Sequence, residues 1–218
     1  MQTLAQLRAE IDEVEQYPSG YSYYLKQVHI VPDAEVVHRE NFILGKCIDK
    51  VVLDIGCHGS TLHQDIKKVA KETFGIDKQG EDHEGFWRID IELDPAFPIL
   101  IREVSTKMTS FPDIVICGEI LEHLSNPGFF LDHLKIFDCE ILFSVPNAFA
   151  KYEEYFVKQN RENVNIEHVA WYSYRTFRTL IERHGYKVKE FYWSDTRDAD
   201  PGFSEGLIFI IQSGGKNG

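Results

Sequence analysis

Val51-Val52-Leu53-Asp54-Ile55-Gly56-Cys57-His58-Gly59-Ser60 is the stretch that decides the fold. A run that is apolar except for Asp54 reads as a strand buried on both faces, and small residues then lead into a helical pattern. Glycine carries no Cβ and tolerates positive φ, so a ligand can approach the backbone closely at such a strand end. Phe74-Gly75-Ile76-Asp77 repeats the arrangement of a short apolar run closed by a carboxylate. Two strand-end carboxylates about 20 residues apart fit a site that grips a nucleoside ribose.

Outward from this stretch, strand and helix signals alternate. Ser60 is a plausible N-cap, and Leu62, Ile66, Val69 and Ala70 mark a helix packed on the sheet. A strand at 73–77 follows, then a charged, glycine-containing loop and a strand at 86–91. Pro95 and Pro98 open a helix that runs to about residue 107. Residues 113–117 form the next strand, and 119–134 read as one or two helices punctuated by Pro127-Gly128. Residues 140–145 form a fifth strand closed by Pro146-Asn147, and 148–172 are aperiodic, an insert or lid. A helix carrying Phe177, Leu180 and Ile181 ends at Gly185, and strands at 187–193 and 206–212 close the pattern. Upstream, Leu4, Leu7, Ile11 and Val14 share a helical face behind the capping pattern Thr3-Leu4-Ala5-Gln6. Pro18-Ser19-Gly20 stops that helix, and a second helix is expected at 36–44.

The expected architecture is α/β: a Rossmann-like, seven-stranded, mainly parallel sheet with helices on both faces and a C-terminal antiparallel strand pair. Residues 1–45 read as an N-terminal helical cap, 46–213 as the main domain, and 214–218 as a disordered tail. In such sheets ligands bind beyond the carboxyl ends of the strands.

Composition narrows the function. The 218 residues carry 23 basic and 35 acidic side chains, a formal charge of −12, and so lack the footprint of a phosphate-backbone binder. Nucleic acid is therefore not the expected partner. Cys47, Cys57, Cys117 and Cys139 show no C-x-x-C spacing and read as reduced thiols. No apolar run reaches membrane-spanning length and no leader pattern opens the chain, so a soluble cytoplasmic protein is expected. The oligomeric state is left open.

The segments VVLDIGC (51–57), FGID (74–77), RIDI (88–91), PDIVICGEILEHL (112–124) and ILFSVPN (141–147), in this order, resemble the class I S-adenosylmethionine-dependent methyltransferases. NIEHVAWYS (165–173) and the helix after it resemble the C-terminal part of such enzymes. The likeness spans residues 42–212 and implies a residue set for the methyl donor. Asp54, Gly56 and Cys57 would shape the turn against the methionine part, with Gly59 in the same turn. Asp77 would accept from both ribose hydroxyls, with Lys78 beside it. Asp90 and the backbone at Ile91 would meet the adenine edge, and Cys117, Gly118 and Glu119 would line the methionine side. The family commonly reads D-x-G-x-G-x-G; here His58 and Ser60 replace the second and third glycines, and a Cβ at either place could crowd the cofactor.

Methyl transfer from a sulfonium needs an aligned acceptor and, for a hydroxyl, a proton acceptor. His123, His168, Glu119 and Glu122 are the candidate groups. Glu119, Glu122 and His123 stand at i, i+3 and i+4, which on a helix is one face. That set could hold Mg²⁺ or a similar divalent ion. The E-x-x-E-H pattern also resembles two metal-using branches, the ubiquinone-pathway catechol O-methyltransferases and the small-RNA 3′-terminal 2′-O-methyltransferases. In the RNA branch a later histidine completes the site, which His168 would match. Equally, the Glu and His can simply hydrogen-bond the cofactor loop, and His168 can be a general base or a loop histidine.

Tyr17, Tyr21, Tyr23 and Tyr24 either pack the N-terminal helix or roof a pocket. Trp171, Tyr172 and Tyr174 read as a substrate wall, Asp12, Glu13 and Glu15 as a solvated face, and His29, His38 and His63 as lacking chemistry. The expected function is methyl transfer from S-adenosylmethionine to a small-molecule acceptor, a hydroxyl first. The alternatives are a metal-dependent RNA 2′-O-methyltransferase and a non-catalytic S-adenosylmethionine-binding protein. A nicotinamide-dependent dehydrogenase is rejected, because the chain has no complete G-x-G-x-x-G.

Overall fold

The computed structural model describes residues 32–195 and 204–213. The expected first helix, the tyrosines at 17–24 and the tail at 214–218 lie outside these residues. The strands are β1 (Val36–Val37), β2 (Val51–Ile55), β3 (Glu72–Asp77), β4 (Phe86–Arg88), β5 (Ile114–Gly118), β6 (Glu140–Pro146), β7 (Tyr186–Ser194) and β8 (Gly206–Ser213). Between them run α1 (Arg39–Cys47), α2 (Thr61–Val69), α3 (Phe97–Lys107), α4 (Pro127–Leu134), α5 (Lys151–Val157) and α6 (Tyr174–Arg183), with a 3₁₀ turn at Leu121–His123.

All the strands join one eight-stranded sheet in the order β1-β7-β8-β6-β5-β2-β3-β4. Only β8 runs against its neighbours, β6 and β7; every other pairing is parallel. Side chains alternate across each strand, so the central strands feed two cores. Val52, Ile114, Ile116, Leu142 and Ile208 pack with Ile43 of α1 and Ile66 of α2. Their neighbours Leu53, Ile55, Val115, Phe143 and Phe209 pack with Phe97, Phe130 and Phe177 from α3, α4 and α6. This two-sided burial is why the central strands read as continuous apolar runs. No helix among the described residues is long and apolar enough to cross a membrane.

The structure departs from expectation in three places. Residues 36–44 are not one helix: Val36 and Val37 pair in parallel with Trp193 and Ser194, and α1 begins at Arg39. β-branched residues beside an open strand edge favour the extended form, and they supply the eighth strand. The strand expected at 86–91 stops at Arg88, after which Asp90 Oδ1 accepts from the N–H groups of Glu92 and Leu93 and turns the chain. Residues 119–134 begin with a 3₁₀ turn, and α4 starts only at Pro127, where the Asn126 side chain accepts from Phe129 N–H. Within the insert at 148–172, α5 forms a single short helix.

Candidate active site

The chemistry-bearing residues gather at the carboxyl ends of β2, β3, β5 and β6. Gly56 follows β2 with φ +80°, and a Cβ there would lie 2.7 Å from Ile120 Cδ1. The turn and the residues after β5 therefore approach as closely as only glycine permits. Beside them opens a cavity of about 230 Å³ lined by Gly56, Asp77, Lys78, Asp90, Ile91 and Glu119, with His123 and Glu167 at one side.

Both carboxylate oxygens of Asp77 are partly engaged. Oδ2 accepts from His58 N–H at 2.9 Å and Oδ1 from Gln79 N–H at 2.8 Å. Each keeps a lone pair for a further donor. His58 thus serves the turn through its backbone, with its ring 6.4 Å from that of Phe86, and Ser60 precedes α2 without a side-chain cap.

Five members of the expected cofactor set, Asp54, Cys57, Gly59, Cys117 and Gly118, do not line the cavity. Asp54 is buried, and its Oδ2 lies 2.8 Å from Nδ1 of the equally buried His63. Burial raises the Asp54 carboxyl, and the His63 hydrogen bond opposes that rise. His63, read from the sequence as lacking chemistry, is what holds Asp54 behind the turn. Cys57 is buried with Sγ 3.8 Å from the Ile76 carbonyl oxygen, and Cys117 is wholly enclosed in the core. Gly59 sits at φ +69° with open space around it.

The expectation that Glu119, Glu122 and His123 share one helical face is replaced by a tighter geometry. Glu119 sits at φ +53° where β5 ends, so it precedes the 3₁₀ turn that carries Glu122 and His123. Its Oε1 meets Arg39 Nη1 at 3.1 Å and accepts from Ser144 Oγ at 3.0 Å. Glu122 is 1% exposed, and neither carboxylate oxygen has a hydrogen-bond partner among the described residues. Burial, and then the neighbouring Glu119 charge, push its carboxyl up to about 8.

The insert completes this group. Val169 and Ala170 donate their N–H groups to the Glu122 carbonyl, at 2.8 and 3.1 Å, docking the segment against the turn. The His168 ring thereby meets the His123 ring edge-on, with centroids 4.6 Å apart. Donor atoms of Glu122, His123 and His168 all lie within 4.8 Å of one another. Burial, and then His123, lower the His168 pKa, which favours a neutral ring with a free lone pair.

Two further cavities adjoin. One, of about 380 Å³, is lined by His38, Arg39, Glu40, Glu119, Asp195 and Glu205, with the buried Ser194 hydroxyl unpartnered among the described residues. The other, of about 220 Å³, is lined by Glu153, Asn163, Asn165, His168, Trp171 and Asn147. Of the expected aromatic wall only Trp171 qualifies. Tyr172 is buried and donates its hydroxyl to the Leu121 carbonyl, while Tyr174 packs against Phe191 and Phe209. Sequence reasoning missed Arg39, Asn163, Asn165 and the part played by His63. The signal for Asn163 and Asn165 was the density of asparagine in Asn160-Arg161-Glu162-Asn163-Val164-Asn165.

Comparison with known proteins agrees with this geometry. The methyltransferase domain family matches residues 34–190. No curated protein sequence matches the chain at a significant level. Among solved structures, the chain is similar to magnesium protoporphyrin IX methyltransferase from Synechocystis PCC 6803 with bound S-adenosylhomocysteine. The identity is 13%, over 80% of this chain and 82% of that one, with a TM-score of 0.54. N-methyltransferase NodS from Bradyrhizobium japonicum WM9 is 14% identical over 80% of this chain and 85% of its own, with a TM-score of 0.52. The small RNA methyltransferase HEN1 is 16% identical over 85% of this chain but 27% of its own, with a TM-score of 0.55. The reversed β8 within a parallel sheet, the glycine turn and the matched domain converge: the chain belongs to the methyltransferase domain family and has the fold of solved S-adenosylmethionine-dependent methyltransferases.

Proposed function

We propose that this enzyme methylates a hydroxyl of a small molecule, with His168 taking the hydroxyl proton. The observation that carries the reading is the Glu122, His123 and His168 group, set between the cofactor cavity and the cavity beyond His168. S-adenosylmethionine supplies a methyl group on a cationic sulfur. Its place is the 230 Å³ cavity, whose residues fit: the free lone pairs of Asp77 suit two ribose hydroxyls, and Asp90 with Ile91 suit the adenine edge. Gly56 leaves the backbone bare where the methionine part passes, and Glu119 stands ready for its ammonium. His168, neutral and half-buried, accepts a proton from the acceptor oxygen, and the adjoining His123 ring fixes its orientation.

A second reading is favoured by the orphaned Glu122 carboxylate, since a buried unpaired acid is costly and a cation would satisfy it. Glu122, His123 and His168 would hold a divalent ion, which polarises the hydroxyl as a Lewis acid. Two imidazoles with a carboxylate suit Mn²⁺ or a softer ion better than Mg²⁺. Free thiols at all four cysteines support a cytoplasmic setting.

Tritium transfer from labelled S-adenosylmethionine tests the acceptor class. Label is expected in hydroxyl compounds of a small-molecule extract and not in total RNA. Label entering RNA alone sinks the small-molecule reading and favours the RNA alternative. Transfer that a chelator abolishes and Mn²⁺ restores replaces the proton-acceptor role of His168 with ion binding.

A further inference from the structure

We propose that the cavity beyond His168 binds an unphosphorylated sugar ring as the methyl acceptor, a proposal that rests on the hydroxyl-methylation reading. At about 220 Å³ it has room for one small ring rather than a large ligand. Its lining combines an aromatic face with short polar groups. Trp171 is 42% exposed, and its indole offers a flat surface to the C–H face of a ring. Glu153 is buried and engaged by Asn163, so its carboxylate is held in place on the cavity wall. Asn165 Oδ1 accepts from Glu167 N–H at 3.1 Å, which leaves its Nδ2 as a donor. Asn147 is spent on Ser204 O and Phe149 N–H and acts as a fixed wall. Each sugar hydroxyl both donates and accepts, and a wall of amides with one carboxylate answers both needs.

Charge at the described lining residues favours an unphosphorylated ring. No lysine or arginine is among the described residues lining this cavity. The cavity that shares Pro146 with it contains Arg39, but that guanidinium is paired with Glu119 and accompanied by Glu40, Asp195 and Glu205. Among the described residues, a phosphate in this cavity would face the Glu153 carboxylate and no lysine or arginine. In the reaction the sugar oxygen forms a bond to the methyl carbon, and the carbon–sulfur bond breaks with its electron pair left on sulfur. The hydroxyl proton moves to His168, and the products are a sugar methyl ether and S-adenosylhomocysteine.

The test is saturation-transfer NMR on the full chain with excess S-adenosylhomocysteine. The probes are the methyl glycosides of glucose, galactose, mannose, rhamnose and fucose, with glucose 6-phosphate and adenosine monophosphate for contrast. Transfer to at least one glycoside and to neither phosphate is expected. Trp171→Ala and Asn165→Ala should each weaken that binding about tenfold, with S-adenosylhomocysteine affinity retained as the check on folding. Silence from every glycoside, equal binding of the phosphates, or indifference to both substitutions overturns the proposal. Tritium entering a non-sugar hydroxyl compound while the glycosides stay silent removes the sugar and keeps the hydroxyl reading. A bound glycoside with no tritium transfer to any hydroxyl removes the reaction and keeps the sugar site.

Discussion

Asp77 and Asp54 are both strand-end carboxylates, yet they do opposite things. Asp77 lines the 230 Å³ cavity and braces His58 and Gln79, whereas Asp54 turns away to His63. Asp77→Ala removes two braces together with the ribose acceptor proposed above. The expected loss in S-adenosylhomocysteine affinity, by calorimetry, is about 10- to 100-fold, the worth of one or two charge-assisted hydrogen bonds. An unchanged affinity would remove Asp77 from the cofactor site. His63→Phe leaves a buried Asp54 unpartnered, and urea denaturation should show a loss of about 1–3 kcal/mol. His63→Phe combined with Asp54→Leu should recover part of it, because the orphaned group is then gone. Asp77 was legible from its place at the end of an apolar run. The direction of Asp54 was not, because it depends on a histidine that reaches it only once α2 packs.

Helix ends show the same limit. The segment EILEHL has the spacing of a helical face, but Glu119 in a left-handed conformation and a 3₁₀ turn bring Glu122 and His123 to His168 instead. Spacing alone does not reveal that β5 must first hand its chain over the Gly56 turn. The entry to α6 is more local and therefore more readable. Ser173 Oγ accepts from Thr176 N–H, and Thr176 Oγ1 accepts from Ser173 N–H, a reciprocal cap. Ser173→Ala should cost about 1 kcal/mol in denaturant unfolding, and no loss would mean that tertiary packing alone fixes the helix start. Lys46 ties α1 to β7 through Glu190 at 2.8 Å. The Lys46 hydrogen bond, then that of Tyr192, holds the Glu190 carboxyl below its ordinary value. A depressed folded value stabilises above the unfolded value of about 4.3, and that stability is lost as pH falls through the folded one. The stability gap between wild type and Lys46→Met should therefore be present near neutral pH and close in strong acid. A gap of equal size at both ends would mean that the lysine acts only by packing on Phe42 and Tyr192.

At the scale of the molecule, the sheet was legible because two-sided burial writes continuous apolar runs into β2, β5 and β6, and β8 pairs antiparallel with β7 after a connection, 195–205, too short for the usual parallel crossover. The cavity beyond His168 was not, since it is lined by the insert that docks on the Glu122 carbonyl, a contact between residues far apart in sequence. That docking makes stability a reporter of ligand binding. S-adenosylhomocysteine at about 100 times its Kd should add about 2.7 kcal/mol, which for a chain of this size raises Tm by about 5–10 °C. Mn²⁺ separates the two readings of the cluster. An ion held by Glu122, His123 and His168 binds only the folded arrangement, so it should add a further rise that a chelator reverses and Glu122→Gln eliminates. If the group works by proton transfer alone, Mn²⁺ leaves Tm unchanged in both proteins. Glu122→Gln then tends to stabilise, because it removes a buried acid with no partner and the repulsion from Glu119. The sign of that one substitution, with and without the ion, decides what the orphaned carboxylate is for.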